Sequence, residues 1–143
     1  MGAWSHQPFD NDNALDWVCD LSQHADLAFI ITTLERAHTD DLFRIYKSYT
    51  DTQNVDHVLA AAEVVAALYG QPHPMLPNEV QLWLKHTKPA SSNIIRLASD
   101  AVPRALQTLA LRNLWAEPSM YELWVHETEG LLSRLRTATP QHQ

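Results

Sequence analysis

Val58-Leu59-Ala60-Ala61-Ala62-Glu63-Val64-Val65-Ala66-Ala67-Leu68 sets ten apolar residues around a single carboxylate, and at 3.6 residues per turn they cover every side of a helix. A helix without a polar face belongs at the centre of a bundle, where its alanines let neighbours approach closely. The stretch therefore predicts a central helix from Val55 to Tyr69, stopped by Gly70 and preceded by a polar loop from Thr50 to Asn54. Three glycines in 143 residues leave too few tight turns for a sheet. The expected fold is all-α: a single compact helical bundle of about six or seven helices over residues 1–137, with residues 1–11 as an N-terminal arm and 138–143 as a flexible C-terminal tail.

Around the central helix the same periodicity places the others. Asp12 or Asn13 caps a first helix to about His24, with Ala14, Trp17, Val18 and Leu21 on one arc and Asp12, Asp16, Asp20 and Gln23 on the opposite one. A second helix from Leu27 to Ala37, carrying Leu27, Phe29, Ile30, Ile31 and Leu34, reads as well buried. Asp40-Asp41 caps a short helix reaching Tyr46 to Tyr49. After Gly70 the prolines at 72, 74 and 77 make a rigid connector, and Pro77 suits the first position of a helix through His86. Another helix starts near Ser91 or Ser92 and meets Pro103, which either kinks it or opens a new helix through Trp115. Pro118 opens the last, to about Arg136, with Tyr121, Trp124, Val125, Leu131, Leu132 and Leu135 as core candidates.

Charge is distributed unevenly. Seventeen acids against ten Lys and Arg give a formal net charge of −7, which excludes the clustered bases that a general nucleic-acid binder needs. Eleven of the acids and three of the bases lie between Met1 and Glu63, whereas the rest of the chain holds six acids and seven bases. The runs Leu27–Ile31 and Val64–Tyr69 are far shorter than the ~20 residues a membrane span requires, and no export signal opens the chain. With Cys19 as the single cysteine no intramolecular disulfide forms, so the expected location is a reducing one, the cytoplasm.

Sites for chemistry are sparse. Asp10-Asn11-Asp12-Asn13 resembles the start of a calcium loop, but Leu15 and Leu21 stand where its glycine and its bidentate glutamate are needed, so a turn and helix cap is the better reading. Glu122, His126 and Glu129 share a helix face without the second Glu-x-x-His helix of a carboxylate-bridged centre, and no metal or other cofactor is expected. Nucleophile elbows and glycine-rich phosphate loops are missing from the sequence. His73, between two prolines, reads as ordinary. Glu63 is the carboxylate of interest, because an acid inside an apolar helix needs donors; the indole N–H of a tryptophan or the N-terminal backbone is the expected source. Most of the five tryptophans read as core anchors, with Trp4 and Phe9 clamping the arm onto the bundle.

Gly2-Ala3-Trp4 followed by Phe9-Asp10-Asn11-Asp12-Asn13-Ala14-Leu15-Asp16-Trp17 resembles the bacterial family called domain of unknown function 4259. The likeness continues through Ala60 to Leu68 with Glu63, Leu76-Pro77 with Trp83, Leu114 to Glu117, and Trp124 with Leu132 to Leu135. It departs at Ser5 and Gln7, where the family usually has glycines. The resemblance implies a small, helical, cytosolic protein and no particular activity. From the residues themselves, the acidic stripe Asp12, Asp16 and Asp20 with Asp40-Asp41 suits a non-catalytic binding protein, such as an immunity protein or inhibitor covering the basic cleft of a toxin. A small enzyme or ligand-binding bundle using Glu63 is the alternative, and a homo-oligomer through aromatic side chains of the second half is a third reading.

Overall fold

The computed structural model describes residues 12–24, 27–35, 49–87, 93–112 and 118–137. Within them every regular element is a helix, with no strand: α1 is Asp12–Leu21, α2 Ala28–Glu35, α3 Tyr49–Leu68, α4 Asn78–Lys85, α5 Asn93–Arg112 and α6 Pro118–Thr137. The arm before Asp12, the proposed short helix from Asp40, Trp115 and the C-terminal tail lie outside the described residues, as do the side chains of Tyr121 and Trp124.

α3 is the axle of the bundle, touching all five other helices. Its residues Val58, Ala60, Ala61, Ala62, Val64, Val65 and Ala66 are sealed from solvent, as a helix apolar on every side requires. The neighbours each offer it one stripe. α1 buries Ala14, Trp17, Val18 and Leu21; α2 buries Ile30, Thr33 and Leu34; α5 buries Ile94, Ala98, Ala101 and Val102; α6 buries Thr128, Leu131 and Leu135. These spacings of three, four and seven residues are those of helices with a single inward side. The most extensive packing is α3 on α5, where small side chains on both helices permit close approach.

Several boundaries differ from the sequence expectation. Thr50 to Asn54 is not a loop but the first turns of α3. The segment is polar, yet it contains neither glycine nor proline, so nothing in it breaks a helix. α1 ends at Leu21, three residues early, because the amides of Gln23 and His24 bond three residues back, to Asp20 and Leu21 at 3.0 and 2.9 Å, which tightens the chain into a turn. Pro77 is the residue before α4 rather than its first, with an extended ψ of 152°, and α4 stops at Lys85. Of the two expectations for Pro103, a kink or a new helix, the new helix is not found, for α5 runs through Pro103 to Arg112. Its missing N–H removes one bond, and the buried stripe on α3 outweighs that loss. α2 is less sunken than expected: Leu27, Phe29 and Ile31 pack against the core while remaining partly exposed.

Gly70 stops α3 through its backbone geometry. Its φ is +95°, its own N–H bonds Ala67 O at 3.2 Å, and the N–H of Gln71 reaches back to Ala66 O at 2.8 Å. That pair of bonds is the Schellman closure, which satisfies carbonyls a helix end leaves open. The chain that follows meets α6, through Gln71 with Arg134 and His73 with Glu127.

Candidate functional site

Glu63 lies in the core, and its expected donors are corrected. Among the described residues the donor is neither a tryptophan nor backbone but Arg134 of α6, with Nη1 donating to Oε1 at 2.8 Å and Nη2 to Oε2 at 2.9 Å. Arg134 Nη1 also reaches Gln71 O at 3.3 Å. The guanidinium fork thus ties α3, α6 and the connector together in a two-bond geometry that only arginine provides. The carboxylate is 2% exposed and both its oxygens are engaged, so it is occupied as a structural group.

His73 is not ordinary. It is buried, Met75 N–H donates to its Nδ1 at 2.9 Å, and Nε2 lies 3.2 Å from Glu127 Oε1. Since Nδ1 accepts, the proton of the neutral ring sits on Nε2 and is donated to Glu127. Glu127 and Arg134 are seven residues apart, two turns on one side of α6, and both grip the connector. Nothing local in Gln71-Pro72-His73-Pro74 announces these partners.

Trp17 and Trp83 are core anchors as expected. Trp17 Nε1–H donates to Thr33 Oγ1 at 2.8 Å, and the Thr33 hydroxyl donates onward to Phe29 O at 3.0 Å. The Phe29 ring stacks on Trp17 at 5.4 Å and on His24 at 4.4 Å, and Trp83 Nε1–H donates to His24 O at 2.8 Å. α1, the turn after it, α2 and α4 are locked by this one chain of rings and hydrogen bonds.

That lock fixes what the same elements show to solvent. The inner side of α1 is held by Trp17, so Asp16 and Asp20, one turn apart, stand exposed on its outer side with Leu15 and Cys19. α1 carries no basic residue in its last turn. Asp12 begins the helix, whereas Asp40 and Asp41, like Trp4, Phe9, Asp10 and Asn11, lie outside the described residues. Beyond the C-terminal turn of α1 a cleft of about 440 Å³ opens against α4, lined by His24 from the turn and by Glu79, Leu82, Trp83 and His86. A shallower depression of about 400 Å³ lies between the end of α2 and the start of α5, where Arg96 stands beside Glu35 and Asp100.

The sequence reading missed the cleft. Its only linear signal is Glu79, Leu82 and His86 at helical spacing on the side of α4 opposite Val80, which also describes any solvated helix. Glu122, His126 and Glu129 are all exposed on α6, and among the described residues no group of three or more His, Cys, Asp or Glu is placed to hold a metal ion. Nor is any described helix long and apolar enough to cross a membrane.

Comparison with curated proteins and with solved structures finds no match. The model of the family described as domain of unknown function (DUF4259) matches residues 2–127, a stretch that takes in the acidic helix, the cleft and Glu63, and the chain belongs to that family.

Proposed function

We propose that the protein is a non-catalytic binding domain, in the manner of an immunity protein or inhibitor, which lays the acidic outer side of α1 on a basic protein partner in the cytoplasm. The carrying observation is the pairing of exposed Asp16 and Asp20 with a helix anchored from behind by Trp17 and Thr33. Neither aspartate is in an ion pair with a described residue. Charges held on a rigid, preformed surface speed association with a cationic partner and need no reordering on contact. Engagement of both Glu63 oxygens by Arg134 favours this reading over a catalytic one, since a catalytic carboxylate must reach a substrate. The lone exposed Cys19 fits a reducing compartment.

The test is capture of a basic partner from the native host by the wild-type chain and by the double variant Asp16→Asn with Asp20→Asn, across a salt series. Loss of two exposed charges should weaken capture roughly tenfold at low salt and flatten its salt dependence. If the double variant captures the same protein with the same salt dependence, the acidic face serves solubility alone and the reading fails.

A further inference from the structure

Resting on the binding reading, we propose that the cleft between the turn after α1 and α4 is a socket for an arginine side chain of the partner, so that the acidic helix steers and the cleft anchors. The cleft has the size of a ligand pocket, about 440 Å³, within the roughly 300–1,000 Å³ usual for such sites. Leu82, one of the lining residues, is 55% exposed. A long methylene stem laid on Leu82 and Trp83 would remove that apolar surface from water.

Electrostatics choose the head group. Glu79 places a carboxylate among the lining residues, beside Ser22, Gln23 and His24 of the turn after α1. α1 has no basic residue in its last turn, and Lys85 of α4 is not among the lining residues. An anion is therefore disfavoured, and no three-ligand group among the described residues suits a metal ion. Of the two basic side chains, arginine fits better, because a planar guanidinium can stack on the exposed His86 ring while its fork meets the Glu79 carboxylate. A lysine ammonium can satisfy the charge but not the stacking.

The socket is also preorganised. The Trp83 indole is pinned by its bond to His24 O, the His24 ring by its stack on Phe29, and Phe29 by Trp17. A floor that is already in place adds no ordering cost on binding. Steering and anchoring surfaces share α1, since Asp16 and Asp20 lie just ahead of the turn that walls the cleft.

The experiment titrates the full ¹⁵N-labelled chain with N-acetylarginine methylamide, its citrulline counterpart and its leucine counterpart, following the Trp83 indole signal, which Trp83→Phe assigns. Arginine should move that signal and the Ser22 to His24 amides saturably; citrulline, with the same shape and no charge, should bind roughly tenfold more weakly, as should arginine to Glu79→Gln. Equal responses to citrulline or leucine, or an unaltered titration in Glu79→Gln, would overturn the proposal. Partner capture separates it from the reading beneath it. If capture is lost in the aspartate variant but intact in Glu79→Gln with Leu82→Ala, the acidic face stands and the socket falls; if both variants capture normally, both fall.

Discussion

Replacing Arg134 by methionine should be among the most damaging single substitutions in this protein, and more damaging than replacing the Glu63 it pairs with by glutamine. The reason lies in unequal burial. Glu63 is 2% exposed and Arg134 22%, so removing the arginine strands a carboxylate in the core, whereas neutralising the carboxylate leaves a guanidinium that still touches solvent and Gln71 O. Breaking a buried pair from the side that abandons a charge costs about 3–5 kcal/mol. Glu63→Gln keeps the shape and one accepting oxygen, and should cost about 1–3 kcal/mol. Against a total stability of roughly 5–15 kcal/mol for a domain of this kind, the first change takes a large share. Urea denaturation read as a midpoint at constant slope measures both, and the double variant Glu63→Leu with Arg134→Met closes the cycle. With both charges gone and volume roughly retained, the double variant should recover most of the loss, for the pair contributes less to net stability than its geometry suggests. If Arg134→Met costs under about 1 kcal/mol, or Glu63→Gln costs more than Arg134→Met, the account of this clamp is wrong.

Three further changes probe the frame around it. Gly70→Ala meets no atom within 4 Å, so any loss comes from the +95° φ alone; thermal unfolding should show a drop of about 1 kcal/mol or more, and an unchanged midpoint would remove the strain argument. Pro103→Ala should raise stability by about 1–3 kcal/mol, because α5 is continuous through an exposed proline and alanine restores the missing donor; a loss in urea denaturation would show that the ring is doing something the helix needs. Thr33→Val keeps the volume but leaves the buried Trp17 indole N–H unmatched, a cost of about 1–3 kcal/mol, and hydrogen exchange of that indole proton should accelerate with it; unaltered exchange would mean the hydroxyl is dispensable.

Much of the fold was legible because helix periodicity is a local property. The Val58 to Leu68 run had to be central whatever surrounded it, and Ala14, Trp17, Val18 and Leu21 had to share an inner side, since 3.6 residues per turn fixes both without reference to any other segment. Errors fell where polarity was read as a boundary. Thr50 to Asn54 looked like a loop, but polar residues without a breaker join a helix whose later turns are buried, and of the two readings of Pro103, a kink or a new helix, the second fell because α5 is continuous through it.

The residues alone determined an all-helical chain, the acidic outer side of the first helix and the burial of Glu63. They could not determine Arg134 as its partner, 71 positions away, or Glu127 as the partner of His73, 54 positions away. Nor could they bring the turn after α1 against α4 to form a cleft, with Trp83 bonded to His24 across 59 positions. Hydrophobic periodicity is written along the chain and states which side of a helix faces inward. The identity of the group met there depends on how helices cross and where their ends fall, and that is decided only when the whole core packs at once.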